Sequence, residues 1–125
     1  MRCARILLAD DVPEVRALLC LVLGRAGADV ALADSGAEAL TAIARERPDV
    51  MLIDLQMPEM DGFELLRRIQ LGANGHRPLA IAITARARTE DESAATAAGF
   101  SAHVSKPIDL AQLTGTIRRL MDTSR

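Results

Sequence analysis

The stretch Val50-Met51-Leu52-Ile53-Asp54-Leu55-Gln56-Met57-Pro58-Glu59-Met60-Asp61-Gly62 opens on four apolar residues without polar alternation and then meets a carboxylate. Such a run is too short for a stable helix and reads as a strand buried on both faces, the pattern of a parallel sheet. The residues from Met57 to Gly62 read as the turn into a helix over Gly62 to Gln70. Outward from this unit the same alternation recurs. Short strand-like runs cover Ile6 to Ala9, Asp29 to Ala33, Leu79 to Ile83 and Ala102 to Val104. Helical patterns cover about Pro13 to Ala26, Gly36 to Glu46, Thr89 to Ala98 and Leu110 to Met121. A strand followed by a helix, five times over, implies an α/β fold: a single five-stranded parallel sheet, doubly wound, with right-handed crossovers and helices on both faces.

Local chemistry marks the boundaries. Ser35 with Glu38, Thr89 with Glu92 and Asp109 with Gln112 have the spacing of a capping box at a helix start. Gly27 and Gly99 follow the last periodic residues of the first and fourth helices, where a left-handed cap favours glycine. In the fifth helix Leu110, Leu113, Ile117 and Leu120 form one apolar stripe for docking on the sheet. The segment Gly72-Ala73-Asn74-Gly75-His76 reads as a loop at the opposite end of the sheet, without chemistry.

The 125 residues suffice for one domain, expected over 1–125. Half of them are hydrophobic and 26% charged, which supplies a core and excludes a disordered chain. The two aromatics, Phe63 and Phe100, are too few for a base-stacking surface, and a net charge of −2 lacks the basic footprint of a nucleic-acid binder. Cys3 and Cys20 form no ligand or disulfide pattern, so a reducing, cytoplasmic setting is expected. The apolar run near the start is far below the roughly 20 residues that span a bilayer, and two acidic residues directly after it argue against a signal peptide.

Parallel sheets bind ligands outside the carboxyl ends of their strands, where the winding reverses. Asp10 and Asp11 follow the first strand, Asp54 the third, Thr84 the fourth, and Ser105-Lys106-Pro107 the fifth. Each alone reads as a cap or turn residue. Together they require compensation, because two unit charges about 4 Å apart repel by roughly 4 kcal/mol at an effective dielectric near 20. An all-oxygen donor set selects a hard ion, Mg²⁺ or Mn²⁺, and Lys106 could meet a phosphate as a point charge. The constellation reads as a phosphoryl-transfer site. No glycine-rich phosphate loop is present, so the phosphoryl donor is not expected to be ATP.

Ala9-Asp10-Asp11, Ile53 to Gly62, Ile83-Thr84-Ala85 and Lys106-Pro107 resemble, in order and spacing, the four signatures of the two-component response-regulator receiver domain. The resemblance covers essentially the whole chain and implies a flavodoxin-like strand order 2-1-3-4-5. It implies that Asp54 accepts a phosphoryl group from a phosphohistidine on a histidine kinase or histidine phosphotransfer protein. It implies that Asp11 and Asp54 bind Mg²⁺ with the backbone carbonyl of Gln56, Asp10 acting directly or through water. Lys106 would pair with the phosphate, the Thr84 hydroxyl would move to hydrogen-bond it, and Pro107 matches a proline that follows the lysine through a cis peptide. Gln56 and Arg86 match positions that flank the path of attacking water and set phosphoryl lifetime. One departure is His103, where receivers often carry Tyr or Phe as a switch residue. It reads either as a half-exposed strand residue or as a switch coupled to pH, since imidazole titrates near neutrality.

Alternatives of other classes are a pseudo-receiver that binds a partner without phosphorylation, and an enzyme on the same fold. Intact Asp10, Asp11, Asp54, Thr84 and Lys106 count against the first. The lack of an aromatic flavin sandwich and of a D-x-D motif counts against the second. No DNA-binding or catalytic output module follows the fifth helix within the 125 residues, so a stand-alone or excised receiver is expected, a monomer or weak dimer without membrane attachment. Ala17 to Leu23 is apolar on every side, more than a sheet-packed helix needs. Either the fifth helix buries it further, or Val12, Val15 and Leu18 form an apolar ridge where a phosphohistidine-bearing helical bundle docks.

Overall fold

The computed structural model describes residues 4–72, 78–85 and 89–123, with the backbone alone at 89–91. Cys3, the loop residues Ala73 to His76, Arg86 and the Thr89 cap lie outside what is described. The elements alternate as β1 (Arg5–Ala9), α1 (Pro13–Arg25), β2 (Asp29–Ala33), α2 (Gly36–Glu46), β3 (Val50–Asp54), α3 (Gly62–Leu71), β4 (Leu79–Thr84), α4 (Thr89–Ala98), β5 (Ala102–Ser105) and α5 (Leu110–Thr123). All strand pairs are parallel, in the order β2-β1-β3-β4-β5. Among these helices none is long and apolar enough to cross a membrane.

The pleat sorts successive side chains to opposite faces of the sheet. On one face Ile6, Leu8, Val50, Leu52, Ile81 and Ile83 pack with Leu19 and Leu23 of α1 and Leu113 and Ile117 of α5. On the other Leu7, Met51, Ile53, Ala80 and Ala82 meet Ala39 and Ala42 of α2, Leu65, Leu66 and Ile69 of α3, and Ala95 of α4. The central strand β3 is buried along its whole length, whereas the edge strand β2 is exposed at Asp29 and Leu32. This explains why β3 shows no polar alternation in sequence. Phe63 and Phe100 meet edge-to-face at 6.1 Å between ring centres, tied to the second core rather than offered to a ligand.

Three strand ends differ from the sequence reading. Asp54, Thr84 and Ser105 are the last residues of their strands rather than the first of the loops. Ladder pairing carries them in, with Asp54 opposite Ile83 and Thr84 opposite Ser105; a neighbouring strand supplies that pairing and local pattern does not. Of the helix starts, Ser35 Oγ accepts from the Glu38 N–H and Asp109 Oδ1 from the Gln112 N–H, as their spacing suggests. Gly27 and Gly99 adopt φ of 99° and 109° in the left-handed region. A further cap, Asp61 Oδ1 accepting from the Glu64 N–H at 2.9 Å, starts α3.

That start brings α3 against the end of β3. A Cβ on Gly62 would lie 2.7 Å from the Asp54 carbonyl oxygen and 2.8 Å from Leu55 Cα, backbone atoms with no room to yield. Gly115, exposed in the middle of α5, has nothing within 4 Å of the same position. Gly62→Ala should therefore cost about 1 to 3 kcal/mol through overpacking, while Gly115→Ala should add about 0.5 to 1 kcal/mol from helix propensity. Denaturant midpoints of the two variants check the opposite signs.

Candidate functional site

The winding reverses between β1 and β3, which are neighbours with Ala9 opposite Ile53. The next residue on each strand is an aspartate, so the ladder itself sets Asp10 beside Asp54 at the carboxyl edge. Adjacent strands are only about 4.8 Å apart. Asp11 joins from the exposed turn after β1, and one oxygen from each of Asp10, Asp11 and Asp54 falls within 4.8 Å of the others. Asp10 is fully buried and Asp54 is 3% exposed.

Each carboxylate of the buried pair has one oxygen tied to a backbone N–H. Asp10 Oδ1 accepts from the Val12 N–H at 2.8 Å, and Asp54 Oδ1 from the Gln56 N–H at 2.9 Å. These short-range bonds fix each carboxylate over the turn that follows it. The remaining oxygens turn inward. Lys106 Nζ donates to Asp54 Oδ2 at 3.3 Å and makes an ion pair with Asp10 Oδ2 at 3.5 Å. Asp10 Oδ2 is otherwise a buried oxygen with no hydrogen-bond partner among the described residues. A buried carboxylate oxygen with no hydrogen bond and only the Lys106 ion pair, in a cluster with two other carboxylates, fits a hard divalent cation, for which oxygen donors at short range are the natural environment. The residues present therefore fit the Mg²⁺ that the sequence implies.

Lys106 arrives from the far side. Its N–H donates to the Thr84 carbonyl at 2.7 Å, which extends the β4–β5 ladder by one bond, and the Lys106–Pro107 peptide is cis. Thr84 is buried at the end of β4. The acids of β1 and β3, the hydroxyl of β4 and the ammonium after β5 thus share one edge of the sheet.

Burial pushes the Asp54 carboxyl above its usual range, and the charge of Asp10 adds to the rise; the Gln56 N–H and Lys106 only partly offset them. For Lys106, burial works against the ammonium, but the attractions of Asp54 and Asp10 together outweigh it and raise its value.

Gln56 exposes its side chain and uses its N–H on Asp54. His103 is half-exposed on β5, with Nε2 3.0 Å from Glu92 Oε1 of α4. The three apolar residues beyond Asp11 do not behave alike. Val12 is the half-buried residue before α1, Val15 packs against the core, and Leu18 is 48% exposed. Its exposed neighbour one turn on is Leu21, at 52%. Sequence reasoning passed over Arg16, whose Nη1 donates to the Asp10 carbonyl at 2.8 Å. It also passed over the Asp61 cap, although Asp61 and Glu64 carry the same three-residue spacing as the other caps.

Residues 6–118 match the family described as the response regulator receiver domain. An uncharacterised 14.6 kDa protein of Leptolyngbya boryana is 42% identical over 114 residues, covering 91% of this chain and 87% of that one. The response regulator MprA of Mycobacterium leprae is 38% identical over 117 residues, covering 94% of this chain and 50% of its own length, so the chain spans half of that relative. Among solved structures, the chemotaxis protein CheY4 of Vibrio cholerae superposes with a TM-score of 0.88 at 28% identity, over 94% of this chain and 98% of that one. The receiver domain of the Francisella response regulator 1452 gives 0.89 at 25% identity, over 98% and 99%.

A carboxyl whose value is raised by folding gives stability that is present below its unfolded value, 3.8, and lost as pH rises through its folded value. Ionised Asp54 is thus a cost that the fold carries near neutrality. Asp54→Asn should raise the thermal midpoint of metal-free protein at pH 7, with a difference from wild type that shrinks below pH 4. Added Mg²⁺ should stabilise wild type more than the variant. Thermal melts across pH, in EDTA and in Mg²⁺, check both.

Proposed function

The chain belongs to the response-regulator receiver family, and from that premise we propose that it takes a phosphoryl group from a phosphohistidine donor onto Asp54 and changes its surface in response. The observation that carries this reading is the convergence of Asp10, Asp11, Asp54 and Lys106 at the end of β3, with Asp54 buried and aimed at Lys106. A carboxylate oxygen of Asp54 attacks phosphorus, the bond from phosphorus to the donor imidazole nitrogen breaks, and an acyl phosphate forms. The imidazole nitrogen leaves with the bonding pair and takes up a proton.

Asp10, Asp11, Asp54 and the Gln56 carbonyl would hold Mg²⁺ or Mn²⁺. When bound, the cation neutralises charge on the phosphoryl oxygens. The protein's own groups do the rest. Burial strips water from Asp54, and the ladder holds it in place for in-line attack. The Lys106 ammonium, kept charged by its two carboxylates, offers its donors to the phosphoryl oxygens once Asp54 is phosphorylated. Thr84 supplies a hydroxyl to the same group. Gln56, exposed two residues beyond the acceptor, bears on how fast water removes the phosphoryl group; Arg86, the other residue expected to do so, lies outside the described residues.

The switch differs from the usual aromatic one. His103 sits within reach of Glu92, so a change at Thr84 would be transmitted through a polar link between β5 and α4. We take residues 1–125 to act in the cytoplasm as a receiver domain, a monomer or weak dimer, with a histidine kinase or histidine phosphotransfer protein as donor and no direct contact with nucleic acid.

Labelling from acetyl phosphate should vanish in Asp54→Asn. Lys106→Ala should lose about 2 to 4 kcal/mol of transition-state stabilisation while still binding Mg²⁺. Equal labelling of wild type and the Asp54 variant would put the acceptor on another residue, and a wild type that takes no label would leave the pseudo-receiver reading in its place. Because Val15 packs against the core, Leu18 is the cleaner probe of donor docking. Leu18→Ser should slow transfer from a protein phosphohistidine but not from acetyl phosphate; rates that fall together, or not at all, remove the ridge.

A further inference from the structure

The turn that carries Asp10 and Asp11 lacks a donor it would ordinarily have. In a four-residue turn the first carbonyl can accept from the N–H of the fourth residue. Counting from Asp10, that residue is Pro13, which has no N–H. Proline suits the first position of α1, where its N–H would find no partner within the helix. The same choice denies the Asp10 carbonyl its local bond. Asp10 is fully buried, so solvent is a poor substitute.

Arg16, half-buried one turn into α1, fills the gap with its Nη1 2.8 Å from that carbonyl. The other polar atoms of Asp10 are also engaged. Its N–H donates to the Ala33 carbonyl at 3.1 Å, and its Oδ1 accepts from Val12. The residue is thus fixed at three atoms, and the fourth, Oδ2, is the buried oxygen without a hydrogen bond that faces the acidic cluster.

We propose that Arg16 is a positioning residue for divalent-cation binding: its guanidinium replaces the turn donor that Pro13 removes and so holds Asp10 and Asp11 in place for the ion. This rests on the reading of the cluster as a Mg²⁺ site. It is separable from a plain charge effect by sign. A cation placed near three carboxylates should, through its field alone, weaken Mg²⁺ binding, so its removal would tighten it. Positioning predicts the reverse.

The test is a Mg²⁺ titration of the isotopically labelled 125-residue chain, followed by amide NMR shifts, with wild type, Arg16→Met and Arg16→Lys. Arg16→Met keeps the aliphatic stem without the donor and should raise the Mg²⁺ dissociation constant about tenfold, the scale of losing an outer-shell partner. Arg16→Lys keeps the charge and one donor and should fall between the two. If the Met variant does not fold, the Lys variant alone decides, by binding more weakly than wild type. Binding by the folded variants as tight as wild type, or tighter, overturns the role of Arg16 and leaves the site standing. A wild-type protein with no saturable response to Mg²⁺ overturns the site and this role with it.

Discussion

Parallel pairing of β1 with β3 in a register that sets Ala9 opposite Ile53 leaves Asp10 and Asp54 no choice but to emerge side by side, both out of water. Asp11 follows at once, and three carboxylates then share a volume a few ångströms across. In such surroundings like charges repel strongly, and the two buried ions, Asp10 and Asp54, lose most of their hydration. The surrounding structure is organised around that cost. Lys106 is brought from the far side of β4 to face two of the acids, while backbone N–H groups of Val12 and Gln56 each take one carboxylate oxygen. One ammonium against three carboxylates leaves net negative charge at the cluster, which suits a hard divalent cation.

Holding these groups in conflict demands rigidity elsewhere. The two hydrophobic layers, α1 with α5 on one face and α2, α3 and α4 on the other, clamp the sheet whose edge carries the acids. At the end of the third strand the clamp is close, because Gly62 lets the start of α3 touch the backbone of Asp54 and Leu55. Sites that must store electrostatic strain commonly reduce the stability of the fold that holds them. The raised Asp54 carboxyl is the form that this takes here.

Much of this was legible in the chain. Five short apolar runs, three of them without polar alternation, imply a parallel sheet, and the carboxyl-edge rule then selects Asp10, Asp11, Asp54, Thr84 and Lys106 from many polar residues. Local pattern ends the strands one residue short of Asp54, Thr84 and Ser105, because the ladder pairing that includes them comes from other strands. In α1 the sequence is apolar all round, so periodicity could not separate Leu19 and Leu23, which are buried, from Leu18 and Leu21, which are not. The Arg16 bond to Asp10 had no pattern to reveal it. Only the missing N–H of Pro13 hinted that a donor would have to come from elsewhere.

The central claim is that this cluster is a cation-dependent phosphoacceptor centred on one carboxylate. Peptide mapping by mass spectrometry after exposure of the wild-type chain to acetyl phosphate, in Mg²⁺ and in EDTA, tests it most directly. The account predicts one phosphoryl group, on the peptide that contains Asp54, in Mg²⁺ alone. Equal labelling in EDTA, or a phosphoryl group on another residue, would contradict it.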